Sequence, residues 1–316
     1  MSKAVHNTIV LCLESSSNAS SISPLSHKEF YDLLKAIDEY NTPKAMDLFA
    51  FSENQKIKFD HINELDQEFM VNKLRITKEL AEKIVTLFKR AASISFEIEK
   101  LEKNGIKICT IFDSEYPKQL KSGLKNMPNS LREPPLFYYC GDITLSKLKY
   151  AGFVGAREVD SADTEWTINL IKQQKLMKNL GVVSGGAEGI DSISEKTALS
   201  EKLPVIEFSK NMRISLKNPI IIDAIQNKLM LLISEVNPLR TLTKMDATIH
   251  FMNRNKYIYA MSEHTFVVKS GFGSRSGTWS GAEQAIKKKI CKVYVRNIPY
   301  EGNLKLIELG GIPYDY

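Results

Sequence analysis

From residue 150 onward, short apolar runs alternate with amphipathic segments. The apolar runs cover 151–154, 182–183, 204–208, 229–233, 266–268 and 292–295. Apolar side chains at helical spacing recur between them, at 164–180, 190–201, 220–227 and 282–289. Strands that alternate with helices form βαβ crossovers and a parallel sheet. We therefore predict an α/β fold with a doubly wound, mostly parallel, Rossmann-like sheet.

The chain before this region has a different pattern. Residues 26–105 are helical in periodicity, and Thr77 followed by Leu80 and Ile84 is typical of a capped helix start. We predict a small all-α domain over 26–105 and a flexible tail over 1–25, where residues 15–21 are rich in serine. The sheet domain would occupy 106–316.

Composition excludes several classes of protein. The 316 residues are 43% hydrophobic and 25% charged, as in ordinary soluble domains. No apolar run approaches the roughly 20 residues that cross a bilayer, and the apolar run at 9–13 is too short for a secretory signal, so we expect a cytoplasmic protein with no membrane partner. The four cysteines and five histidines have no metal-ligand spacing, so we expect no metal and no cofactor. The net charge of +6 is compatible with a polyanionic partner, although many soluble proteins are mildly basic.

Three loops after strands contain residues suited to anions. In an open α/β sheet, ligands bind at the carboxyl ends of the strands. The first loop is Gly155-Ala156-Arg157, where a glycine permits a tight turn and an arginine can bind phosphate. A solvent-exposed arginine after a turn is an equally good interpretation.

The second loop, residues 184–191, carries the strongest local signal. One serine and three glycines lie between a buried strand and a helix start, where unpaired backbone N–H groups favour an anion. Close packing of helix on sheet would explain one glycine but hardly three. The loop lacks the G-x-G-x-x-G pattern, which disfavours NAD. Asp191 is better explained as a helix cap than as a catalyst.

The third loop, residues 270–278, combines small residues, hydroxyls and Arg275. Between the second and third loops, residues 251–259 interleave cations with aromatic side chains, a composition that suits a strand of nucleic acid. An amphipathic helix in which Tyr257 and Ile258 simply pack is the competing interpretation. We expect both to apply, with Arg254 and Lys256 at the ligand.

Taken in order, these motifs resemble the DNA-processing protein A (DprA/Smf) family. Residues 184–191 match the pattern S-G-x-A-x-G-I-D throughout. The resemblance covers roughly residues 105 to 316. The other matching segments are Asp113 to Leu120, Pro134 to Gly141, Gly155 to Arg157, Ser234-Glu235, Phe251 to Ser262, Ser276 to Ala282 and Gly302 to Gly311.

The resemblance implies a protein without catalytic activity that binds single-stranded DNA. It also implies a homodimer that loads the RecA recombinase during DNA uptake and natural transformation. The residues implied to contact DNA phosphates are Gly155, Arg157, Ser184, Gly185, Gly186, Gly189, Arg254, Asn255, Lys256, Ser276, Gly277 and Thr278.

The sequence also departs from the family pattern. Glu195 replaces a histidine, Lys256 replaces an arginine, and Lys269 replaces an acidic residue. The glycine-rich stretch after the third strand is unrecognisable in residues 210–219. Many members carry a C-terminal winged-helix-like domain, and this sequence ends at Tyr316 without one.

Two other functions stay open. A sensor of a nucleotide-derived signal in stress or phage defence would use the same loops, reshaped by Glu195 and Lys269. A nucleotide phosphoribohydrolase of related fold needs a glutamate where this sequence has Gly281. The hydrolase therefore ranks last.

Overall fold

The computed structural model describes residues 1–16, 22–42, 56–178 and 180–315. The chain divides into two compact units, one of residues 1–116 with 127–137 and one of residues 117–126 with 138–316. The first unit therefore extends past residue 105, where we had predicted the helical domain to end. Most of the serine-rich tract, residues 17–21, lies outside the described residues.

The first unit is mainly helical, as the periodicity of 26–105 predicts. Ser26 and Thr77 cap the second and fourth helices by accepting hydrogen bonds from Glu29 N and Leu80 N. Its elements are α1 (Lys3–Cys12), α2 (His27–Asn41), α3 (Gln67–Asn72), α4 (Lys78–Phe88), α5 (Ala91–Lys103) and β1 (Lys107–Thr110), with 3₁₀ turns at Phe59–Glu64 and Asn129–Leu131.

Helix α1 contradicts the prediction of a flexible tail over this part of residues 1–25. Val10, Leu11 and Leu13 are fully buried, so the apolar run near the N-terminus belongs to a core. The Arg90 guanidinium donates to Val10 O at 2.7 Å and to Leu13 O at 2.9 Å, which satisfies carbonyls at the end of the helix. Burial and this cap together hold the segment in place.

The second unit contains the alternating strands and helices. The strands are β2 (Leu136–Gly141), which begins in the first unit, β3 (Tyr150–Val154), β4 (Gly181–Ser184), β5 (Val205–Phe208), β6 (Met230–Ser234), β7 (His264–Val267), β8 (Lys292–Arg296) and β9 (Ile312–Tyr314). The helices are α6 (Lys118–Leu124), α7 (Ser161–Lys178), α8 (Ile190–Ser200), α9 (Met212–Ser215), α10 (Pro219–Gln226), α11 (Lys244–Met261), α12 (Gly277–Lys288) and α13 (Glu301–Glu308), with a 3₁₀ turn at Ile143–Lys147.

Within the described residues, nine strands form one sheet in the order β1-β2-β6-β5-β4-β3-β7-β8-β9. The neighbours from β6 to β9 pair in parallel, and β2 pairs antiparallel with β6. After β3 the chain builds strands on one side and then returns to add β7 on the other. This confirms the predicted doubly wound, mostly parallel sheet. The carboxyl ends of β3 to β8 therefore lie along one edge.

Lys269, which follows β7, takes part in an ion-pair network. Its ammonium lies 2.8 Å from the buried Asp163 carboxylate and 3.7 Å from that of Asp160. The Arg296 guanidinium lies 2.6 Å from the other oxygen of Asp163. Hydrogen bonds from both cations lower the pKa of Asp163 against the opposing effect of burial. The positive charge at position 269 is thus compensated by the start of α7.

Among the described helices, none is both long and apolar enough to cross a membrane.

Candidate nucleic-acid interface

A groove of about 740 Å³ lies at the carboxyl ends of β3, β4, β5 and β6. It is lined by residues that follow each of these strands. Its described lining consists of Arg157, Gly186, Ala187, Glu188, Lys210, Asn211, Met212, Arg213, Ile214, Ser215, Lys217, Ser234, Val236, Asn237, Pro238, Arg240, Thr241 and Leu242.

The groove is strongly basic. The cations among its described lining are Arg157, Lys210, Arg213, Lys217 and Arg240, and Glu188 is the one acidic residue of that lining. Partial burial, followed by the charges of Arg157 and Arg254, lowers the pKa of Lys210. These three cations therefore lie close enough to repel one another. An arriving anion would relieve that repulsion.

The segment after β5 supplies three of the groove's cations, and sequence reasoning missed it. Asn211 caps the short helix α9, and Met212 anchors it with only 1% of its surface exposed. Ile214 on the same turn is 66% exposed. Helix α9 spans only Met212–Ser215, so Arg213 lies on it while Lys210 and Lys217 flank its two ends. Three cations within eight residues, directly after a strand, were the available signal.

The glycines of the second loop are needed for its backbone path. Gly189 has φ +80°, and a Cβ atom there would lie 2.6 Å from Arg157 O. A Cβ at Gly155 would lie 2.8 Å from Ile190 Cβ. Both glycines thus allow the first two loops to pack together, and the close-packing interpretation accounts for them.

The loop's amides do not face the groove as predicted. Gly186 N donates to Glu195 Oε1 at 3.0 Å, and Ala187 N donates to Asp191 Oδ2 at 3.4 Å. Asp191 also accepts a hydrogen bond from Gly185 N. Carboxylates of α8 and its start therefore occupy the donors that we expected to hold a phosphate. The prediction that the backbone N–H groups of this loop bind an anion is therefore wrong for Gly186 and Ala187.

A buried charge cluster lies behind the loop. It consists of Asp191, Glu195 and Glu207 with the largely buried Arg254. Arg254 Nη1 donates to Phe208 O at 2.9 Å and to Gly185 O. Cβ atoms built on Gly185 and Gly186 would crowd this cluster, at 2.9 Å from Asp191 Oδ2 and 2.6 Å from Glu207 Cδ.

Burial is the largest cause of the pKa shifts of the three carboxyls in the cluster. It raises the pKa of Asp191 to about 6, against the opposing charge of Arg254. Burial and then the charges of Glu207 and Asp191 raise the pKa of Glu195 well above its usual value. Burial also raises the pKa of Glu207, although hydrogen bonds from Ser209 and Ser215 oppose it. Asp191 is thus more than the helix cap that the sequence suggested.

Arg254 and Lys256 do not lie on the same surface. Lys256 is 2% exposed, and its ammonium is 5.0 Å from the centroid of the Tyr257 ring. Residues two apart on a helix point to different sides, and both cations belong to α11. The structure therefore does not bring Lys256 to the groove, contrary to the expectation from sequence.

The third loop packs against neighbouring structure. Ser276 Oγ caps α12 by accepting from Trp279 N, Thr278 Oγ1 donates to Gly155 O at 3.0 Å, and Asn255 Nδ2 donates to Gly277 O at 2.9 Å. Ser184 is fully buried, and its hydroxyl donates to Phe153 O at 2.9 Å. Of the predicted site residues, Arg157 and Gly186 are the ones found among the groove's described lining.

Sequence reasoning also missed a polar cluster beside the groove. Glu235 accepts a hydrogen bond from Tyr257 Oη, and His250 Nδ1 lies 3.2 Å from Glu235 Oε1. These three residues line a small cavity together with Lys210 and Arg254. Across the described residues, no group of three His, Cys, Asp or Glu side chains could hold a metal ion.

The model of the DNA recombination-mediator protein A family matches residues 107–311, more than half of the chain. The chain belongs to this family. No curated protein sequence matches it.

Two solved structures of DNA processing protein A have the same fold. The one from Streptococcus pneumoniae is 20% identical, with a TM-score of 0.63, and the match covers 92% of this chain and 95% of that one. The one from Helicobacter pylori was described for its single-stranded DNA binding mode. It is 23% identical, with a TM-score of 0.51, and the match covers 66% of this chain and 90% of that one.

Proposed function

We propose that this chain binds single-stranded DNA in the basic groove at the carboxyl ends of β3 to β6. The observation that carries the proposal is the set of five cations around one groove, opposed there by Glu188. Clustered lysine and arginine side chains bind nucleic acid by neutralising phosphates. Family membership and the DNA-binding relative from H. pylori support the same ligand.

The groove also offers contacts for bases. Ile214 is an exposed aliphatic side chain that lines the groove next to Arg213 in the sequence. The bases of a single strand are unpaired, so their faces can pack against an apolar side chain while the cations hold the phosphates. A base within a duplex is stacked and paired, so it has no face to offer Ile214. This favours a single strand over a duplex.

The proposal includes no catalytic step. The described lining of the groove contains neither histidine nor cysteine, and its one carboxylate is Glu188. The family resemblance extends the proposal to a homodimer that delivers single-stranded DNA to a RecA recombinase. DNA processing or uptake is the corresponding role.

A sensor of a small nucleotide-derived signal is the second candidate. A volume of about 740 Å³ falls in the range of small-ligand pockets, roughly 300–1,000 Å³. The buried Glu195, where the family has a histidine, changes the charge behind the glycine loop. A nucleoside mono- or diphosphate that binds more tightly than an oligonucleotide would favour this candidate.

Salt dependence tests the primary proposal. If four or five phosphates are neutralised, single-strand affinity is expected to fall roughly 50- to 130-fold between 50 and 200 mM salt, since the logarithmic slope is about −0.7 per phosphate. Fluorescence anisotropy with a labelled oligothymidylate would measure the fall, and unlabelled duplex and nucleotides would serve as competitors. Binding that is weak at both salt concentrations, or equal for duplex and single strand, would count against the proposal.

A further inference from the structure

The buried cluster behind the glycine loop contains more acid than base. The charges of Asp191 and Glu207 raise the pKa of Glu195, and all three carboxyls interact electrostatically with Arg254. Among the groups that shift the pKa of Glu195, Arg254 is the one that carries a positive charge. If all three carboxyls were ionised, the cluster would carry two uncompensated negative charges. Burial makes such charges costly, so the cluster retains protons instead.

Glu195 connects this cluster to the groove. Its Oε1 atom accepts the hydrogen bond of Gly186 N at 3.0 Å, from behind the loop. Gly186 is itself exposed and lines the groove on its other side. One glycine backbone therefore separates the carboxyl from the groove. An anion bound in front of Gly186 would feel the charge state of Glu195 directly.

We propose that Glu195 is a positioning residue that couples anion binding in the groove to the uptake of a proton by the buried cluster. This inference rests on the proposed function, because it needs an anion in front of Gly186.

The direction of the coupling follows from electrostatics. A phosphate brought near the cluster raises the proton affinity of its carboxyls, and by reciprocity a protonated cluster binds phosphate more tightly. Affinity should therefore fall as pH rises. The affinity is expected to begin to fall near pH 6, where the Asp191 carboxyl loses its proton. The fall should continue at higher pH, because the pKa of Glu195 is raised well above its usual value. One linked proton changes affinity by at most about tenfold per pH unit.

The charged groups that face Glu195 come from three elements. Asp191 lies on its own helix α8, Glu207 on β5 and Arg254 on α11. On the groove side, Arg157 and Lys210 act on Arg254 and on each other. The pH response is therefore that of the cluster and not of Glu195 alone.

His250 is a second titratable group near the groove, since it contacts Glu235. An imidazole gains positive charge as pH falls and would also strengthen DNA binding. A His250→Gln variant separates the contribution of His250 to the pH dependence of DNA binding from that of the buried cluster.

The test uses isothermal titration of the full chain with an oligothymidylate from pH 5.5 to 8.5. Each titration is run in two buffers of different ionisation enthalpy, which reports the protons taken up. The native protein is expected to take up roughly half a proton to one proton and to lose affinity by about three- to tenfold per pH unit over part of this range. Glu195→Gln keeps an acceptor for Gly186 N but cannot ionise. Its pH response is expected to be at least halved, with tighter binding at pH 8.5.

Glu188→Gln is the matched control, because Glu188 is an exposed carboxylate of the same loop. It is expected to strengthen binding at every pH and to leave the proton uptake unchanged. Glu207→Gln should reduce the uptake as Glu195→Gln does, and thermal unfolding confirms that each variant is folded. Proton uptake that is the same in the native protein and both cluster variants, or that disappears only in His250→Gln, would overturn the inference. Absence of oligonucleotide binding at every pH would instead overturn the proposed function.

Discussion

Reversing the charges of Arg213 and Lys217 together is expected to weaken single-stranded DNA binding by at least about 100-fold at 0.1 M salt. Both side chains are exposed and line the groove. Their replacement by glutamate removes two phosphate contacts and adds repulsion at the same positions. The logarithmic salt slope should become shallower by about 1.4 or more, because each single-strand phosphate contact contributes about 0.7. Fluorescence anisotropy at several salt concentrations measures both quantities.

The control variant makes the same change in net charge at a surface away from the groove. Lys288 and Lys292, at the end of α12 and the start of β8, are exposed and lie at the opposite edge of the sheet. Their double replacement by glutamate is expected to weaken binding less than about fivefold. Equal losses in the two double variants would mean that net charge, and not the groove, determines affinity. Neither exposed pair is expected to change stability by more than about 0.5 kcal/mol per site.

Replacing Arg254 with alanine is expected to reduce the free energy of unfolding by about 3 kcal/mol or more near pH 8. Its guanidinium is largely buried, donates to Gly185 O and Phe208 O, and faces Asp191, Glu195 and Glu207. Removing one partner of a buried charge cluster leaves the others uncompensated, which is costly. Urea unfolding monitored by circular dichroism measures the change.

The pH dependence of that loss has a definite sign. Without Arg254, the carboxyls hold their protons more strongly in the folded state than in the unfolded state, so the folded protein becomes less stable as pH rises. The loss should therefore be smaller at pH 5 than at pH 8. Combining Arg254→Ala with Glu195→Gln should recover part of it. An Arg254→Ala protein that is as stable as the native chain but cannot bind DNA would show that Arg254 is primarily a ligand contact.

The strand and helix alternation could be predicted from sequence because each element is long enough to show its period. Elements without such a signal were not predicted. β2 pairs antiparallel with β6, and α1 is buried although its apolar run is only a few residues long. Both depend on contacts with distant parts of the chain. Local composition does not report those contacts.

Of the residues predicted at the site, only Arg157 and Gly186 are found in the described lining of the groove. The glycine loop after β4 was recognised because three glycines occur together. Its amides could not be predicted to face inward, since that depends on the loop folding back onto Asp191 and Glu195 of α8, which accept their hydrogen bonds. Lys210, Arg213 and Lys217 were overlooked because the segment lacks a family pattern. Their closeness in sequence becomes meaningful only once the neighbouring strands are placed.

Mapping the bound strand tests the central claim most directly. An oligonucleotide containing 4-thiothymidine would be cross-linked to the full chain by light, and the modified peptides would be identified by mass spectrometry. Cross-links are expected in residues 210–217 and 234–242, the two segments that contain the groove's lining after β5 and β6. Cross-links confined to residues 1–116, or to the loop at 270–279, would contradict the assignment of the groove as the DNA-binding site.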